Sequence, residues 1–159
     1  MDLEALALAV DEELRVPAAE RRIGRLYAVR CGGGVGESAG GEGGAAGGGD
    51  GLALELLAEG EARELPQGVR PPAGVRALAL VTGAWAAPLD DGGPGCRPSR
   101  HPQRRRAHLT VVVGADGDRD GVDVTVLRYA GGDPTVLRGG VGLVHQRLLR
   151  CWSRRPDAS

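Results

Sequence analysis

Between Gly32 and Gly51 the chain places glycine at twelve of twenty positions, with only small or acidic residues and one Val between them. Such a segment has too few apolar side chains to offset the entropy lost on ordering, so it is predicted to be disordered. Everything else must fold around it. On its N-terminal side Arg25–Cys31 is a short apolar run that reads as a strand. On its C-terminal side Leu52–Glu59 reads as a second strand, although LALELLAEGEAREL would also suit a helix. The glycine tract then interrupts a hairpin. Loop-closure entropy grows slowly with loop length, so removing Gly34–Gly49 is expected to change stability little.

A chain of 159 residues has room for one domain. At that size it buries roughly two-thirds of the surface its unfolded form exposes. The reading is a single α+β domain over residues 1–155, with the loop 32–51 inside it and a tail at 156–159. There is no Phe, and aromatic residues make up 3% of the chain, so the core must be built from Leu, Val and Ala.

Residues 2–15 read as a helix: Asp2 suits the N-cap, and Leu3, Leu6, Val10 and Leu14 fall on one face. Prolines and glycines between Pro66 and Gly74 mark a loop. Val75–Trp85 is an apolar run with β-branched residues and reads as a buried central strand. Arg106–Val113 is a strand with Ala107, Leu109, Val111 and Val113 on one face and Arg106, His108 and Thr110 on the other. Gly114–Gly121 reads as a turn, Val122–Tyr129 as its partner strand, and Asp133–Arg138 as a short last strand. Val141–Arg154 reads as a closing helix with Val141, Val144, Leu148 and Trp152 on one face. The expected fold class is α+β: a mainly antiparallel sheet of about five strands, with the N- and C-terminal helices packed on one face. Profilin-like and roadblock-like layouts share this element order, which carries no function by itself.

Residue types absent from the chain exclude some chemistry. Every cation is an Arg, since no Lys occurs. A Walker-type phosphate loop and a Schiff base both need a Lys. The net charge of −1 is not that of a nucleic-acid-binding domain. Cys31, Cys96 and Cys151 are odd in number, far apart and without a C-x-x-C pair, so neither a disulfide framework nor a zinc ribbon is indicated. They read as reduced thiols, and the N-terminus has no basic stretch of a signal peptide, so the expected location is the cytoplasm. No apolar run is long enough to span a membrane.

The short motifs dissolve on inspection. Gly36-Glu37-Ser38-Ala39-Gly40 matches the serine-esterase elbow, but GGEGGAAGGG follows it where a helix is needed. Asp116–Gly121 matches half of a calcium loop, with Leu127 where the closing Glu belongs. Cys96, His101 and His108 fit no zinc spacing, and His145 reads as a surface residue of the last helix. No catalytic residue, metal ligand or cofactor emerges.

One stretch stands out. Arg97-Pro98-Ser99-Arg100-His101-Pro102-Gln103-Arg104-Arg105-Arg106 holds five Arg, and no acid occurs between Asp91 and Asp116. Guanidinium groups in such a run can hold carboxylate or phosphate bidentately, and the prolines stiffen the loop. Trp85 ends the preceding strand. The candidate binding residues are Trp85, Arg97, Ser99, His101, Arg104 and Arg106, with His101 the one plausible acid or base.

The run Ala77–Pro88 (ALALVTGAWAAP), followed by RPSRHPQRRR and LTVVV, resembles small uncharacterised proteins of high-GC, actinobacterial-type bacteria. In them a strand ending in Trp leads into a Pro-Ser-x-His-Pro-x-Arg loop and another strand. The resemblance is strongest over residues 75–113 and implies fold boundaries, not an activity. Two functions remain open from the residues alone. The first is a non-enzymatic interaction or regulatory module that uses the basic loop on an acidic protein surface. The second is a protein, with or without catalysis, that binds a small anionic molecule between Trp85 and that loop. Nucleic acid is disfavoured because few aromatic residues are available to stack bases.

Overall fold

The computed structural model describes residues 2–14, 23–32, 51–86, 100, 103–129, 132–140 and 142–158. Helix α1 (Leu3–Glu13) is followed by strands β1 (Gly24–Cys31) and β2 (Leu52–Gly60), a single turn of helix α2 (Leu65–Gly68), strands β3 (Ala77–Ala86), β4 (Arg105–Asp116), β5 (Arg119–Tyr129) and β6 (Thr135–Arg138), and helix α3 (Leu143–Ser153). The strands form one antiparallel sheet in the order β2-β1-β3-β4-β5-β6. The sheet thus has six strands where about five are expected, the short β6 completing it.

Leu52–Gly60 is a strand, which resolves its ambiguity with helix: it pairs with β1 from Cys31↔Leu52 to Gly24↔Gly60. The N–H of Gly32 donates to the carbonyl of Gly51, so the two ends of the glycine tract meet at the mouth of this hairpin. Gly33–Asp50 and Ser38 lie outside the described residues.

The sequence reading puts both terminal helices on one face; the structure places them on opposite faces. Leu3, Leu6, Ala7 and Val10 of α1 pack on Val29, Ala77, Ala79, Val112, Val124 and Val126. Leu148, Cys151 and Trp152 of α3 pack with Leu65 of α2 on Leu26, Ala28, Leu78, Leu80, Val111 and Val113. Consecutive residues of β3 and β4 therefore feed two separate cores. The physical reason lies in the runs Ala77–Val81 and Val111–Val113, which are apolar at odd and even positions alike. A strand of that kind needs cover on both sides. Each fully buried Leu or Val contributes about 1.5–3 kcal/mol, so neither face can be left open.

Local signals account for the element ends. The Asp2 carboxylate accepts from the N–H of Ala5 at 2.7 Å and caps α1. The expected turn Gly114–Gly121 tightens to Gly117-Asp118, since Asp116 pairs with Arg119 and both strands run further than expected. Gly117 has φ of 61°, a conformation that favours glycine in a two-residue hairpin turn. Two carboxylates of the half calcium motif make contacts within the fold. Asp116 accepts from the N–H of Leu3 at 3.3 Å, and Asp120 accepts from Trp152 Nε1 and from Arg155, both at 2.8 Å. Among the described residues no helix is long and apolar enough to cross a membrane.

Candidate functional site

Trp85 lies at the outer end of β3, opposite Arg106 of β4. Both side chains project from the sheet face that carries α1, because they continue the alternation set by Ala79 and Val112. The guanidinium carbon of Arg106 sits 4.4 Å from the centre of the Trp85 ring, and that of Arg104 sits 5.2 Å from it. One strand position away and on the α3 face, Arg105 lies over Tyr129 of β5 at 4.5 Å. Each pair is a cation–π contact, in which the electron-rich ring face attracts the guanidinium without using its N–H groups. Trp85 remains 37% exposed, and Arg104, Arg105 and Arg106 are all exposed.

The structure thus brings together Trp85, Arg104 and Arg106 of the six expected site residues, and adds Arg105 and Tyr129. Arg97, Ser99 and His101 lie outside the described residues, as does Cys96. Two clefts lined by described residues lie elsewhere. One, of about 450 Å³, borders Cys31, Arg76 and Trp152 at the opposite end of β3; the other lies between α2 and Arg154.

A second polar site was not foreseen from the sequence. On the same face, one row in from Arg106, His108 stands opposite Arg128. Both turn to Asp11 of α1, whose side chain has no solvent exposure. His108 Nδ1 lies 3.0 Å from Asp11 Oδ1, and the Thr110 hydroxyl donates to the same oxygen at 3.1 Å. Arg128 donates to Oδ2 through Nε at 2.9 Å and Nη2 at 2.7 Å. Burial alone would raise the Asp11 carboxyl, but the bonds from His108 and Arg128 and the Arg128 charge outweigh it and hold it below the ordinary carboxylate range. His108 Nε2 is buried without a partner. The signal for this cluster was Asp11 itself, four residues after Ala7 on the apolar stripe of α1. A carboxylate there demands buried donors, and the polar alternation of His108 and Thr110 supplies them.

His145, read as a surface residue of the last helix, is half-buried. Its Nε2 is 2.8 Å from the Thr125 hydroxyl, and its Nδ1 is buried without a partner. Burial pushes its pKa below the ordinary histidine value, against the opposing charge of Asp123. No three metal-ligating side chains meet among the described residues. Cys151 is buried on the inner face of α3, and burial pushes its thiol pKa up; Cys31 is exposed. Comparison with family models, curated proteins and solved structures finds no match to this chain.

Proposed function

We propose that this chain is a non-enzymatic interaction module whose binding surface is the arginine–aromatic edge at the β3–β4 end. The observation that carries the reading is the state of the arginines there. Six arginines elsewhere (Arg25, Arg30, Arg128, Arg138, Arg147 and Arg155) reach carboxylates of the chain. Arg105 and Arg106 instead rest on aromatic rings and, among the described residues, pair with no carboxylate. Their N–H groups point to a partner that brings its own negative charge. The resemblance over residues 75–113 falls on this same hairpin, and no activity is drawn from it or from the profilin-like element order.

The alternative reading is a small-anion site, with or without catalysis, formed by Trp85 and the Arg97–Arg106 loop. The two separate in one pair of measurements. Capture of partners from a bacterial lysate is compared between wild type and the double variant Arg105→Gln/Arg106→Gln at low and high salt. The interaction reading expects partners that vanish in the variant and at high salt, since screening acts within about 10 Å at 0.1 M. An identical captured set under all conditions removes it. A thermal-shift series with small anions, nucleotides and metabolites tests the alternative, which expects stabilisation by one of them at low concentration.

A further inference from the structure

Resting on that reading, we infer that the edge recognises a carboxylate-rich polypeptide segment, which straddles the end of the β3–β4 ladder and touches both faces of the sheet. Three observations lead there. The cations divide between the faces: Arg104 and Arg106 gather on Trp85 on the α1 side, while Arg105 lies on Tyr129 on the α3 side. Successive strand residues point to opposite faces, so one small anion cannot engage Arg105 and Arg106 together. A chain bearing several carboxylates can.

The aromatic rings are also spoken for. Trp85 has two guanidinium groups over its ring and Tyr129 has one. Recognition of single-stranded nucleic acid depends on open ring faces on which bases stack. Here guanidinium carbons already lie 4.4–5.2 Å from the ring centres. A cation–π contact does not consume the N–H fork of a guanidinium, which can meet a planar carboxylate with two parallel bonds.

Finally, the neighbouring row of the same face shows the preferred partner of such a group in this molecule. Arg128, one strand over and one row in, places Nε and Nη2 on the carboxylate of Asp11. Arg106 points to the same face and is likewise strand-paired, with Trp85 where Arg128 has His108, but it lies past the end of α1, whose Asp11 supplies the acid at Arg128. An Asp or Glu side chain from a partner would complete at Arg106 the contact that Asp11 completes at Arg128.

The test measures fluorescence anisotropy with three probes and the full chain. The first is a labelled poly-glutamate peptide. The second is a labelled single-stranded oligonucleotide of equal charge. The third is inorganic phosphate as competitor. The proteins are wild type, Arg105→Gln, Arg106→Gln and the charge reversal Arg106→Glu, each checked for an unchanged melting transition. The expected result is salt-sensitive binding of the peptide, weakened about tenfold by either single Arg→Gln change and abolished by Arg106→Glu. Phosphate at millimolar concentration should not compete, and the oligonucleotide should bind more weakly than the peptide. Oligonucleotide binding as tight as the peptide, competition by phosphate, or loss with only one of the two Gln variants overturns the straddled carboxylate partner while leaving a basic binding edge in place. Absence of arginine-dependent binding of every probe overturns that edge as well.

Discussion

Arg106 and Arg128 occupy neighbouring rows on one face of the sheet, and their surroundings differ in kind. Arg128 is mostly buried under α1 and closes on Asp11, together with His108 and Thr110. Arg106 lies beyond the C-terminal end of α1, which runs from Asp116 toward His108, and rests on Trp85. The reach of a single helix decides between them. Under α1 a guanidinium must find a carboxylate, because an unpaired buried charge is costly. Past its end, water solvates the charge, and an aromatic neighbour suffices. The buried cluster is therefore committed to the fold, whereas Arg106 is exposed and pairs with no carboxylate among the described residues.

The sharpest way to break this contrast is to remove Asp11. Asp11→Ala removes the buried carboxylate shared by His108 and Arg128, leaving Arg128, among the described residues, only the exposed Glu12 at 3.5 Å, and should cost about 3–5 kcal/mol in urea unfolding at neutral pH. A loss below about 1 kcal/mol would mean that water reaches the cluster and that the two rows are alike.

Acid should separate the sites next. The Asp11 carboxyl is held below its unfolded value, so its contribution is present above pH about 4 and is lost as pH falls through the folded value. His145 is also held below its unfolded value, by burial. Its contribution is complete above pH about 6.5 and declines as pH falls below that. Melting temperature should thus fall in two stages on acidification. His145→Gln should remove the first stage, and Asp11→Asn should flatten the second. A profile that His145→Gln leaves unchanged between pH 7 and 5 would place that imidazole in contact with solvent.

Trp85→Ala should have a smaller effect, about 1–2 kcal/mol, from two exposed cation–π contacts and partial burial of the ring. A cost above about 3 kcal/mol, read from the same urea curves, would make Trp85 a core residue and the edge a structural feature. Smallest of all should be Arg106→Gln, at most about 1 kcal/mol, as expected for an exposed cation without a carboxylate partner. If it instead destabilises as much as Arg128→Gln, the distinction between committed and available arginines fails.

Most of the element pattern was legible in the residues. The strands on either side of the glycine tract, the alternation in β4 and the two terminal helices follow from short-range periodicity and capping. The short α2 was hidden by the prolines around it, although Pro66 is compatible with a first helical turn. Of the candidate site, the arginines and Trp85 could be singled out by charge and position. Their mutual stacking, and the contribution of Tyr129, could not, because β5 reaches this end of β4 only through the hairpin register.

The local pattern by itself determined the two terminal helices and most of the strands, that the core lacks Phe, and that one cationic stretch leads into β4. Only the tertiary structure decided which helix covers which face. Periodicity says that a strand is apolar on both sides but not what lies over each side; that depends on where residues more than a hundred positions apart, such as Leu3 and Asp116, come to rest. The same docking made Asp11, His108 and Arg128 one buried cluster and left Arg106 outside it. Charge can be counted along a chain, but whether a charge is desolvated depends on the three-dimensional cover above it.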